Sequence, residues 1–233
     1  MNSLRRKFFW LTAFSISMGF MESAVVVYLR RIYYPAGFSF PLTPLEPSVA
    51  AVEVYREAAT IIMLLAIGLL TGRNTSQKFA IFLFCFAVWD IFYYVFLKAL
   101  LGWPASFLTW DILFLIPLPW VGPVICPCLV SLTMTVLSAA VIYYQEKGIE
   151  AHLNTKEWIL MIMGSFAIIL SFTDDFLKYF IHYSRGLQPS KTMMTAAIGS
   201  YVPSSFGWHI FIAGETLIIA AIILFVKRAE KSR

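Results

Sequence analysis

Eleven ionisable side chains sit inside stretches that are otherwise apolar: Glu22, Glu53, Arg56, Glu57, Asp90, Asp174, Asp175, Lys178, His182, His209 and Glu215. A charged side chain at mid-bilayer costs about 2.5–3.5 kcal/mol on insertion scales, so each such residue needs a partner or a task. Their types suit hydrolytic or group-transfer chemistry. His182 closes one apolar stretch and His209 opens the next, so two imidazoles can lie at similar depth. With Asp175 they make an expected ligand set for a divalent metal such as zinc, manganese or iron. Asp90, Asp174, Asp175, Glu22 and Glu57 are the expected acid–base groups, one of them acting as general base toward a bound water. Arg30, Arg31, Arg56 and Lys178 are suited to hold an anionic headgroup or phosphate, with Glu53 and Glu215 beside Arg56 and Lys178 on the substrate side.

A metal-free variant is also open, in which Asp174 or Asp175 faces Asp90 and shares a proton with it. Asp174 and Asp175 point about 100° apart on a helix, so they are not themselves a dyad. Two further classes compete. Buried Asp, Glu and His chains occur in ion- or proton-coupled transporters, and His182 with His209 can serve as axial ligands in a haem-binding redox subunit. The motifs that would decide are missing: the sequence has no His-Glu-x-x-His, no Gly-x-Ser-x-Gly and no Cys-x-x-Cys-His. The three cysteines, Cys85, Cys126 and Cys128, have no zinc-type or disulfide spacing.

The elements that must position these residues are membrane spans. Of 233 residues 60% are hydrophobic and 13% charged, about half the charged share of a soluble domain. A span needs about 20 largely apolar residues. Six stretches qualify: 8–30, 49–71, 78–100, 121–144, 158–182 and 204–226. The first begins with Arg5-Arg6-Lys7, lacks a small-residue cleavage site and reads as an uncleaved span. Segment 103–120, with Trp103, Trp110, Trp120 and three prolines, is too short to span and reads as interfacial or re-entrant. The expected fold is therefore an all-α polytopic membrane protein of six helices, forming one transmembrane domain over residues 1–233.

Loop charge orients it. With the N-terminus inside, eleven Lys and Arg fall on the cytoplasmic side and five (Arg30, Arg31, Lys98, Arg185, Lys191) on the outer side. Both termini are then cytoplasmic, and the expected location is a multi-pass cell membrane, of the bacterial inner-membrane type. The net charge of +5 sits in these flanks, which excludes a nucleic-acid face and leaves the bilayer and a lipid or membrane-embedded substrate as expected partners.

In that orientation most of the buried charges fall in the outer halves of five spans, with Glu215 near the midplane, and the inner halves are nearly uncharged. This one-sidedness argues against alternating access. No internal repeat relates the first three spans to the last three. Helical spacing adds detail. Ser15, Gly19 and Ser23 form a small-residue stripe for close packing. Asp90 has Tyr93 and Tyr94 one turn on. Glu53–Arg56 and Asp175–Lys178 are spaced to pair. The expectation is an outward-facing polar pocket with metal-assisted or acid–base chemistry.

Overall fold

The computed structural model describes residues 3–149, 152–185 and 193–231. The chain forms α1 (Ser3–Tyr33), α2 (Pro47–Thr71), α3 (Thr75–Leu101), β1 (Trp110–Phe114), β2 (Trp120–Pro123), α4 (Ile125–Glu146), α5 (Thr155–Tyr183), α6 (Met193–Ser200) and α7 (Trp208–Lys231). All of these helices except α6 are long and apolar enough to cross a membrane. The shortest of the six, α4, has 22 residues and is about 33 Å long, enough for the hydrocarbon core. The protein is an all-α, multi-pass membrane protein. Lys191, used above in loop charge, lies outside the described residues, as does Arg233.

Helix α3 is the hub, packing against α1, α2 and α4. The small-residue stripe of α1 makes this possible: Ser15 and Ser23 are buried, and Ser23 Oγ donates to Tyr93 O at 3.0 Å across the joint. A Cβ on Gly19 would stand 2.9 Å from the Trp89 carbonyl oxygen, so only glycine allows the backbones this close. α5 and α7 form a second tight pair, in which Gly164 and Gly214 face each other. A Cβ on either would stand 2.8 Å from the other's carbonyl oxygen. The two groups join where α4 reaches α7 and where β2 lies on α5. Between them, flanked by α3, α4, α5 and α7, runs a cleft.

Both chain ends share one end of the bundle with the α2–α3 and α4–α5 connections; we call this the terminal end and its opposite the distal end. Here the elements are tied by polar contacts. Lys7 Nζ donates to Thr71 O at 2.5 Å, Gln145 Nε2 to Asn74 Oδ1 at 3.2 Å, and Leu153 N to Ser76 Oγ at 3.3 Å. Asn154 caps α5 in a reciprocal box with Glu157. Arg228 of α7 closes on Glu157 with Nε and Nη2 at 2.9 and 2.8 Å.

At the distal end the structure gives form to one sequence expectation and corrects two. Segment 103–120, together with residues 121–123, folds into an antiparallel hairpin, with Asp111 opposite Gly122 and Ile112 opposite Val121. Consequently the fourth span starts at Ile125, not 121, because 121–123 are paired as strand β2. The last span starts at Trp208, not 204, because 201–207 is an extended segment held by Asp175. A short helix, α6, precedes it and has no counterpart in the sequence reading.

Candidate functional site

The distal end holds a polar cavity of about 210 Å³. Its walls come from α1, α2, α3, β1, α6 and the connection after α1. Its charge comes from α1, α2 and α3. On α2, Glu53, Arg56, Glu57 and Thr60 recur at three and four residues and so share one face. Arg56 lies between two carboxylates: its Nε and Nη2 reach Glu53 Oε2 at 2.9 and 2.7 Å, and its Nη1 pairs with Glu22 of α1. Thr60 Oγ1 donates to the second Glu22 oxygen at 3.2 Å. Glu57 accepts the backbone N–H of Leu115, 2.9 Å from Oε2, and so clamps the hairpin turn to α2.

Across the cavity Arg30 and Asp111 form a buried pair, Nη2 to Oδ1 at 2.9 Å. Tyr94 donates a further hydrogen bond to Asp111 Oδ2 at 3.1 Å. The guanidinium is held between two rings, 4.2 Å from the Phe38 centroid and 3.7 Å from that of Trp103. Asp111 is 0% exposed. Burial pushes its carboxyl up from the usual range, against the opposing pull of Arg30, the Ile112 N–H and Tyr94. Arg30 Nη1 and the indole Nε1 of Trp89, both buried, find no acceptor among the described residues. A ligand bearing carbonyl, hydroxyl or oxyanion oxygens would complete these two donors.

Asp90 differs from every other carboxyl around this cavity. It is 8% exposed, and the hydroxyl of Ser131 donates to its Oδ2 at 2.7 Å. Among the described residues it has no ion pair and no backbone donor. It also borders a second cavity of about 370 Å³, the cleft flanked by α3, α4, α5 and α7. That cleft is lined mainly by Phe, Leu, Ile and Met side chains, and Leu113 and Phe114 of β1 partition it from the polar cavity. Glu215 lies on it, accepting from Thr133 Oγ1 at 2.7 Å. The lining of the cleft suits an apolar occupant.

The sequence-expected set thus divides in two. Glu22, Glu53, Arg56, Glu57 and Asp90 converge on the polar cavity, and Glu215 on the adjoining cleft. Asp174, Asp175, Lys178, His182 and His209 do not join them. Asp175 is spent on structure: it accepts from Tyr201 Oη (2.7 Å), from Ser204 N and Oγ (3.0 and 2.7 Å) and from Ser205 N and Oγ (both 3.2 Å), fixing the segment before α7. Lys178 therefore pairs with Asp174 at 2.6 Å, not with Asp175 as its spacing suggested. His182 and His209 are exposed at the ends of α5 and α7. Among the described residues no three His, Cys, Asp or Glu side chains converge as a metal site requires. The proposed ligand set of His182, His209 and Asp175 is not assembled. Nor does Asp90 pair with Asp174 or Asp175; its hydrogen-bond partner is Ser131.

Asp111 is the residue that sequence reasoning missed; it is the one carboxylate in an aromatic and aliphatic segment, and that isolation is the available signal. Arg30, an expected anion-holding group placed in an outer loop by the sequence, is buried. The chain matches no protein-family model, and no curated protein or solved structure matches it.

Proposed function

We propose that this protein is a membrane-embedded acid–base enzyme, of hydrolase or transferase type, acting on an amphiphilic substrate at the distal end of the bundle. The observation that carries the reading is the position of Asp90, a buried carboxyl with only a hydroxyl partner among the described residues, at the junction of a polar and an apolar cavity. Asp90 is the general acid or base, because a carboxyl already paired with a guanidinium or a backbone N–H is less free to exchange a proton. Ser131 orients it. Arg30 Nη1 and Trp89 Nε1 bind acceptor oxygens of the substrate's polar end, and the Glu22–Arg56–Glu53 array sets the field on the opposite wall. The Lys and Arg bias toward the terminal end supports a cytoplasmic location for that end, with the cavity facing the outer side of a cell membrane of bacterial inner-membrane type in this reading. The whole chain serves as a single membrane domain in this reading.

The test uses the purified protein in nanodiscs of a bacterial total lipid extract, with untargeted mass spectrometry before and after incubation. Wild type should convert at least one lipid species, and Asp90→Asn should slow that conversion about 10²–10⁴-fold while keeping the Ser131 hydrogen bond. Equal conversion by both proteins would remove Asp90 from the chemistry. A solute that crosses sealed vesicles unchanged, with no lipid converted, would replace the enzyme reading with transport.

A further inference from the structure

The apolar cleft has a length, a direction and a side entrance that together define its occupant. On α3 its lining runs from Phe79 to Asp90, on α4 from Pro127 to Leu137, and on α5 from Met161 to Phe172. At 1.5 Å per residue each of these is about 15–17 Å long. The directions agree as well. α3 and α5 rise from the terminal end while α4 descends to it, so Phe79, Leu137 and Met161 mark one end of the cleft and Asp90, Pro127 and Phe172 the other. The cleft is a narrow channel parallel to the helices, closed at the distal end by the hairpin side chains Phe114 and Trp120.

It also opens sideways. Ser165 and Ile169 line the cleft and are nevertheless exposed, on a face of α5 that continues into the exposed Ile162 and Phe166. α5 packs on α7, α7 on α4 and α4 on α3, so among the described residues the open side of the cleft lies between α3 and α5, a portal at membrane depth. What lies outside such a portal is hydrocarbon.

The geometry points to a linear acyl chain of a bilayer lipid as the occupant, entering between α3 and α5 with its polar end toward Asp90. This deepens the enzyme reading by naming the substrate class, and it rests on that reading only for the step at Asp90. The chain lies among Phe82, Phe86, Met134 and Ile168. Glu215 is held by Thr133 on one side of it, and the polar end stops at Asp90, which borders both cavities.

The experiment is photolabelling in nanodiscs of phosphatidylglycerol and phosphatidylethanolamine carrying a mid-chain diazirine, with adducts mapped by peptide mass spectrometry. The inference predicts adducts on Phe82, Met134 and Met161, which line the cleft, in wild type and in Asp90→Asn alike. Ser165→Trp at the portal should lower cleft adducts at least fivefold and leave those on Leu132 and Ile162 unchanged. The lipid-facing adducts report insertion of the variant, and the wild-type map stands whether or not that variant folds. Adducts confined to lipid-facing residues, or cleft adducts unaffected by a well-inserted Ser165→Trp, would overturn the inference. Cleft labelling without any Asp90-dependent product would keep the chain site and remove the enzyme reading.

Discussion

Glu157 and Asp90 are both carboxyls withdrawn from water, one at each end of the bundle, and they are treated in opposite ways. Glu157 is 0% exposed and saturated. Arg228 grips both of its oxygens, the Asn154 N–H donates to Oε2 at 2.8 Å, and its place in the first turn of α5 sets it against the positive end of the helix dipole. Asp90 is 8% exposed, accepts one hydroxyl and faces two cavities. A carboxyl surrounded by partners holds the fold. One left without them is where the molecule has room to bind and exchange a proton. The Arg30–Asp111 pair is intermediate, a structural ion pair with one guanidinium nitrogen still unmatched.

That contrast can be broken at several points. The largest effect is expected from Arg30→Met, which strands Asp111 in a dry site. It should cost about 3–5 kcal/mol, and the double variant with Asp111→Asn should recover much of the loss. Thermal unfolding of the three proteins in detergent checks this; no recovery in the double variant would show that the pair is not what Arg30 contributes. Arg228→Ala strands Glu157 in the same sense, but Arg228 is partly exposed and water can replace it. The expected loss is roughly 2–3 kcal/mol, read as a lower midpoint in the same assay. A change within error would deny Glu157 its structural role.

Gly19→Ala tests the backbone contact that places Asp90 at all. Its Cβ would press on the Trp89 carbonyl, so a loss of about 1–3 kcal/mol is expected from overpacking. If stability is unchanged, α1 and α3 are not in the close contact described. The smallest effect on stability is expected at the centre of the account. Asp90→Asn keeps the volume and the acceptor for Ser131, and should stay within about 0.5 kcal/mol of wild type.

The sequence carried much of this unevenly. Six spans, the α1 stripe and the gathering of charge at one end follow from period and depth, which are local properties of one helix. Glu22, Glu53, Arg56, Glu57 and Asp90 were legible because apolar surroundings mark a charge as costly. What a single helix cannot reveal is which neighbour it faces. Asp174 and Asp175 are both within reach of Lys178 along α5, and only the segment 201–205, which captures Asp175, decides between them. His182 and His209 are at matching depth yet turn outward. Asp111 was hidden in a segment too short to read as an element, and Glu157 fell one residue outside the boundary drawn for the fifth span.

The most direct measurement pairs stability with turnover in one set of samples: wild type, Asp90→Asn and Arg228→Ala in lipid-extract nanodiscs, each scored for thermal midpoint and for lipid converted. The account predicts that Asp90→Asn keeps its midpoint and loses conversion by 10²-fold or more, while Arg228→Ala loses midpoint and, below that midpoint, still converts. An Asp90→Asn protein that unfolds early, or that converts lipid at the wild-type rate, would contradict it.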